Sequence, residues 1–219
     1  MLIYIIRHGE TDFNRQGRIQ GQVDNPLNEN GIRLGRITGE GLKDVKFDMI
    51  FSSPLKRALQ TADLVTSPSK VLHNQENIPL FKDDRLMEID CGIWDGKLIL
   101  HDHMEIEDPT FPMFFNDPEH FPGFPEGETT WQVIERTGEV LDELIRREDL
   151  QDKTVLVSTH GCAMRGMLQR FYQDGRGYWH GGSPNNYAVN VVKVEKGKAE
   201  LIHEDLLFYD PAEAVNPYN

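Results

Sequence analysis

Cysteine is scarce in this chain: Cys91 and Cys162 stand alone, with no paired spacing. Two isolated cysteines exclude a disulfide framework and fit a reducing compartment. Positive charge is the second shortage. Only 23 lysines and arginines face 36 aspartates and glutamates, leaving a formal net charge of −13. No overall basic field exists to draw in nucleic acid or an anionic membrane, so an anion bound here must be met by a local cluster of cations. Long apolar runs are missing too. Nothing approaches the ~20 residues needed to cross a bilayer, and the apolar opening stretch is too short for a secretory signal. The expectation is a soluble, cytoplasmic protein with no nucleic-acid partner and no membrane partner.

What is present is alternation. Leu2 to Ile6 reads as a short buried strand, broken by the His8-Gly9 turn. From Gly9 to Asn30 the composition is polar and predicts a long loop, followed by a helix over Gly31–Val45 that Gly35, Gly39 and Gly41 weaken. Asp48 to Phe51 suits a strand. After it, Ser53 suits an N-cap and Pro54 the first helical position, with Leu55, Leu59, Ala62 and Val65 on one face. Thr129 and Gln132 form a capping box for a helix whose expected buried face is Trp131, Ile134, Leu141, Leu144 and Ile145. Thr154 to Val157 is a further strand; past the His160-Gly161 turn, Met164, Met167, Leu168 and Phe171 form a helical stripe. Two closing strands flank Lys196-Gly197.

Strands that alternate with helices imply an α/β fold, a three-layer sandwich around a mostly parallel central sheet. At 219 residues the length suits one domain. One segment breaks the rhythm: five of the twelve prolines and five of the eleven phenylalanines fall between Pro109 and Pro125. That composition predicts an ordered insertion, a lid at about 93–126 over the active site.

In open α/β sheets, ligands sit at the carboxyl ends of the strands. Arg7-His8-Gly9 follows the first strand, Thr159-His160-Gly161 follows another, and SSPLKR places Arg57 near the start of a helix after a third. Two imidazoles and two guanidiniums would then share one crevice, a costly arrangement that a doubly charged phosphate relieves. Each residue alone has an ordinary structural explanation; their placement at three strand ends is the signal. The residues themselves do not choose between His8 and His160 as the reactive group.

RHGETDFN, SSPLKRALQTA, LMEIDCGIWDG and VSTHG, in that order along nearly the whole chain, resemble the phosphoglycerate mutase-like branch of the histidine phosphatase superfamily. The resemblance implies that His8 is the nucleophile and forms a phosphohistidine. It further implies that Arg7, Arg57 and His160 bind the transferring phosphoryl group, and that Glu88 is the acid/base carboxylate. Asn14, Gln20 and Gly21 match the family's binding loop, with Thr11 and Ser52 supporting from behind. A neutral imidazole with a pKa near ~6.5 is a competent nucleophile, and arginine holds phosphate oxygens in a bidentate way that lysine cannot.

His101-Asp102-His103 and His120 carry metal-ligand atoms, but without a helical H-E-x-x-H or a cysteine cluster they read as a solvated polar turn. Metal-independent chemistry with no cofactor is expected. Three functions remain in competition: a phosphatase for small-molecule phosphate monoesters, a phosphoglycerate mutase, and a non-catalytic phospho-ligand binding module. The insertion holds Lys97 alone among lysines and arginines, beside several acids, which disfavours a substrate with a second anionic group. Gly127-Glu128-Thr129 resembles a motif of the phosphatase-like members. A dead binding module is disfavoured because His8, Glu88, His160, Arg7 and Arg57 are all present.

Overall fold

The computed structural model describes residues 1–100, 103–173, 175 and 177–214. In chain order the main elements are β1 (Leu2–Arg7), α1 (Asp12–Gln16), α2 (Glu29–Gly41), β2 (Met49–Ser52), α3 (Lys56–Leu72), β3 (Leu80–Lys82), α4 (Met113–Asn116), α5 (Thr130–Arg146), β4 (Thr154–Thr159), α6 (Gly161–Leu168), β5 (Val189–Glu195) and β6 (Lys198–Leu206). They build one sheet of six strands in the order β3-β2-β4-β1-β5-β6. The pairs β3/β2, β2/β4 and β4/β1 are parallel, whereas β1/β5 and β5/β6 are antiparallel.

The period of two along the strands divides the core into two layers. Ile3, Ile5, Val155, Val157 and Val192 meet Val140, Leu141 and Leu144 of α5 and Met164, Met167 and Leu168 of α6. Ile6, Ile50, Leu156 and Val191, on the opposite face, meet Leu34 of α2 and Ala62 and Val65 of α3. Helices therefore cover both faces, as a parallel sheet requires. Among the described residues, no helix is long and apolar enough to cross a membrane.

Several expected boundaries move for identifiable reasons. The polar stretch after Gly9 contains α1, closed by a capping box in which Thr11 and Asn14 exchange side-chain and backbone hydrogen bonds. Helix α3 begins at Lys56 rather than at Pro54 with Leu55 as its N-cap, and the Ser53 hydroxyl both accepts from Leu55 N at 3.3 Å and meets His160 Nε2 at 2.8 Å. The capping box of Thr129 and Gln132 forms as read. The buried face of α5, however, is Thr130, Val133, Thr137, Val140, Leu141 and Leu144, and Trp131 is 59% exposed with its indole N–H on the Glu119 carbonyl. The glycines of α2 mark close packing: a Cβ on Gly35 would lie 2.3 Å from Tyr187 Oη, and one on Gly39 would lie 2.6 Å from the Leu64 carbonyl of α3. The loss in helix propensity is set against a helix–helix approach that alanine would block.

The proline- and phenylalanine-rich segment is ordered around its own core. Phe111, Phe114, Phe121 and Phe124 are buried with Trp94 and with Val133 of α5, in edge-to-face pairs such as Trp94–Phe111 at 5.7 Å. His101 and Asp102 lie outside the described residues, and His103 is exposed.

Candidate active site at the carboxyl ends of the parallel strands

β1 and β4 run in register, so Arg7 lies beside Thr159 and both strands release their following histidine at one edge of the sheet. The His8 N–H donates to the Thr159 carbonyl at 2.9 Å, which ties the two strand ends together. The rings of His8 and His160 lie 5.1 Å apart. His8 Nδ1 sits 2.7 Å from the Gly9 carbonyl. A carbonyl only accepts, so Nδ1 carries the proton and the lone pair is on Nε2.

A cavity of about 50 Å³ opens at this edge, lined by Arg7, His8, Asn14, Gln20 and Glu88 on its polar side. Ile19, Phe114, Phe115 and Trp179 form an apolar wall, with Cys91 and Cys162 also contributing. Arg7 Nη1 donates to the Pro184 carbonyl, which draws the 178–186 loop onto the site. Asn186 Nδ2 donates to the His8 carbonyl at 2.9 Å. Asn14 Oδ1 accepts from the Thr11 N–H, so its amide nitrogen is the group it offers to the cavity. Gln20 Oε1 accepts from Thr11 Oγ1 at 2.8 Å, while its Nε2 is buried without a hydrogen-bond partner among the described residues. A buried donor left unpaired costs about 1–3 kcal/mol, which an anionic ligand in the cavity would recover.

Glu88 sits at the N-terminus of α6. Its Oε1 accepts from Ile89 N and Ala163 N at 3.0 and 2.9 Å, and its Oε2 accepts from Cys162 N at 3.1 Å. Arg136 of α5 grips the segment behind it, donating to the carbonyls of Arg85, Met87 and Glu88. Glu128, from the Gly127-Glu128-Thr129 motif, pairs with Arg136 and accepts from Asp90 N.

Two expected phosphate contacts stand back from the cavity wall. Arg57 is fully buried, and all three of its nitrogens are engaged inside the protein. Nε donates to His160 Nδ1 at 3.2 Å, Nη1 to the Val23 carbonyl at 2.7 Å and Nη2 to the Gly21 carbonyl at 2.6 Å. His160 donates from Nε2 to Ser53 Oγ at 2.8 Å. Gly21 is likewise spent on the protein, with its N–H on Asp95 and its carbonyl on Arg57. These three residues are not among those lining the cavity, and His160 adjoins it through the 5.1 Å approach of its ring to His8.

The electrostatics keep both imidazoles neutral. Burial, then the charges of Arg57 and Arg7, push the His8 pKa well below its ordinary value. Burial and Arg57 do the same to His160. Burial lowers Arg57 itself to about 10, and it remains a cation at neutral pH. Both cysteines are free thiols whose pKa burial raises well above normal, so neither is a poised nucleophile.

The sequence reading missed Ser53 as the partner of His160, Asn186 as the support of His8, and Arg136 as the brace of Glu88. The polar Gly181–Asn186 stretch was a visible hint of the second; the others depend on long-range contacts that no local pattern shows.

Comparison with known proteins agrees with this geometry. Residues 3–205 match the family model of the histidine phosphatase superfamily (branch 1). Phosphoserine phosphatase 1 of Hydrogenobacter thermophilus is 32% identical over 201 residues, covering 91% of this chain and 90% of that protein. The metal-independent phosphoserine phosphatase of Arabidopsis thaliana is 30% identical over 200 residues, covering 90% of this chain and 77% of that protein. Among solved structures, Bacillus stearothermophilus YhfR superposes with a TM-score of 0.81 at 30% identity, covering 94% of this chain and 98% of that one. Sequence motifs, sheet order and the paired histidines at the strand ends converge, and the chain belongs to the histidine phosphatase superfamily, branch 1.

Proposed function

We propose that this protein is a metal-independent phosphatase that hydrolyses small-molecule phosphate monoesters through a phosphohistidine on His8. The observation that carries the reading is the meeting of His8, Arg7 and Glu88 on one small cavity, with His8 neutral and protonated on Nδ1. His8 Nε2 attacks phosphorus, the P–N bond forms and the ester P–O bond breaks. Glu88 gives its proton to the departing alkoxide. It then takes a proton from the water that attacks the phosphohistidine, which releases phosphate and returns His8 to its neutral form. General acid/base help of this kind contributes about 10²–10⁴ in rate.

Arg7, Asn14 and Gln20 hold the phosphoryl oxygens, with Arg7 supplying the fixed charge that favours the charge-dispersed transition state. Arg57 and His160 act on the same group from beside His8, and Gly21 shapes the loop that carries Gln20. Positive charge delivered by guanidinium groups is what supports a metal-free step here; the name of the Arabidopsis relative points the same way.

A phosphatase is favoured over a mutase by the far wall. Ile19, Phe114, Phe115 and Trp179 offer apolar contact, and among the described residues Arg7 is the one basic side chain lining the cavity. A sugar acid with a carboxylate and a second phosphate finds no counter-charge there, whereas a monoester with a neutral remainder does not need one. About 50 Å³ holds only a few waters. The segment 93–126 therefore serves as a lid within a single domain, and shifts to admit the leaving group. The two free thiols support placement in the reducing cytoplasm. The low basic charge speaks against a nucleic-acid partner.

Turnover of a monoester panel in the presence of chelator tests the reading. Release of phosphate from neutral alkyl and aryl esters, exceeding any interconversion of phosphoglycerates, is expected. Interconversion without release would give the mutase instead, and tight binding with neither would give the binding module.

A further inference from the structure

The loop that carries Gln20 is gripped from two sides by opposite charges. On one side Asp95 is bidentate: Oδ1 accepts from Gly21 N and Oδ2 from Val23 N, both at 2.8 Å. On the other side Arg57 is bidentate to the carbonyls of the same two residues, at 2.6 and 2.7 Å. A peptide segment rarely has its N–H groups and its carbonyls each satisfied by one forked, charged side chain. Charge-assisted bonds of this kind are about twice as strong as neutral ones.

The neighbouring chain extends the grip. Residues 95–99 run alongside residues 17–21 as a short antiparallel zipper, with Gly96 N on the Ile19 carbonyl, Ile19 N on the Lys97 carbonyl and Ile99 N on the Gly17 carbonyl. Gln22 Nε2 reaches the Glu88 carbonyl at 3.2 Å. Asp95 is thus the charged anchor between the start of the insertion and the loop bearing Gln20, and its charge acts on Arg57 across that loop.

Resting on the phosphatase reading, we propose that Asp95 is a positioning residue for phosphoryl transfer, clamping Gly21–Val23 against Arg57 so that Gln20, whose buried Nε2 has no partner among the described residues, is held at the cavity wall. Asp95 touches neither the cavity nor the reacting atoms. Its effect passes through backbone amides, and it specifies where one donor and one buried cation stand.

Asp95→Asn replaces one acceptor with a donor facing an amide N–H, while Asp95→Glu keeps the charge on a longer arm. The measurements are binding of inorganic phosphate by calorimetry, KM and kcat on p-nitrophenyl phosphate, and the melting temperature, for each variant alone and in a Gln20→Ala background. Asp95→Asn is expected to weaken phosphate binding and raise KM roughly tenfold, in keeping with the cost of misplacing a binding group. Asp95→Asn should also melt lower, with Asp95→Glu recovering part of the binding loss and the effect on phosphate binding shrinking when Gln20 is already alanine. Unchanged phosphate affinity overturns the proposal, as does a loss just as large without the Gln20 amide. If the unaltered protein binds phosphate but turns nothing over, the phosphatase reading fails while the Asp95 comparison still stands on binding.

Discussion

Arg57 donates from Nε to Nδ1 of His160, and this single bond decides the tautomer of the second histidine. With Nδ1 accepting, the ring proton must be on Nε2, where it is given to Ser53 Oγ. His160 is held between a cation and a hydroxyl, both buried, and burial together with the same cation keeps it neutral. The pair packs beside the nucleophile, with the His160 ring 5.1 Å from that of His8.

Removing the hydroxyl should unsettle that packing. Ser53→Ala leaves the His160 N–H unpaired inside the protein, at a cost of about 1–3 kcal/mol in stability. Chemical denaturation checks the loss, and kcat should fall with it because the ring beside His8 is no longer held.

Glu88→Gln keeps the size of the side chain and removes its proton chemistry, with its amide nitrogen turned toward the Cys162 N–H. We expect kcat to fall by about 10²–10⁴ on alkyl phosphates, whose leaving group needs a proton. On p-nitrophenyl phosphate the first step should survive better and the second should not. The phosphoenzyme should therefore accumulate, visible by mass spectrometry of the intact protein.

The depressed histidines make stability depend on pH. His8 and His160 have folded-state pKa values below their unfolded value of ~6.5, so the unfolded chain takes up protons first as pH falls. Their stabilisation is complete above ~6.5 and erodes below it, by up to about 1.4 kcal/mol per pH unit for each ring. Urea unfolding at pH 7.5 and at successively lower pH should show that slope, and His160→Asn should reduce it. The acid limb of kcat/KM should lie well below pH 6.5 for the same reason.

The insertion should behave as a true core. Phe111 is 1% exposed, and Phe111→Ala should cost about 3–5 kcal/mol. Were the segment only loosely laid on the surface, urea unfolding would register almost no change.

Much of this was legible in the sequence because the fold repeats a local rule. Strand, turn and helix are written three times, and the residues that gather at the carboxyl ends of the strands, Arg7 with His8, Arg57 and His160, each lie at or within five residues of a strand end. His8, Arg7, Glu88, Asn14 and Gln20 could be named from motifs and do share a cavity. Ser53 could not, since a serine before a proline is a good cap by any local criterion and only the approach of β4 reassigns it. The rotated face of α5 has a similar cause: the large Trp131 suggested burial, but Val133 and Thr137 are what α6 and the insertion core allow to fit. Strand β3 was missed because it is only three residues long, Leu80–Lys82, and all three are exposed at the sheet edge, so no alternation of buried and exposed positions marks it.

The most direct test is to trap the intermediate. Protein mixed briefly with a phosphate-labelled aryl monoester and quenched in alkali should carry acid-labile label on the peptide containing His8, and His8→Ala should carry none and release no phosphate. Label on His160, or steady turnover in His8→Ala, would contradict the account.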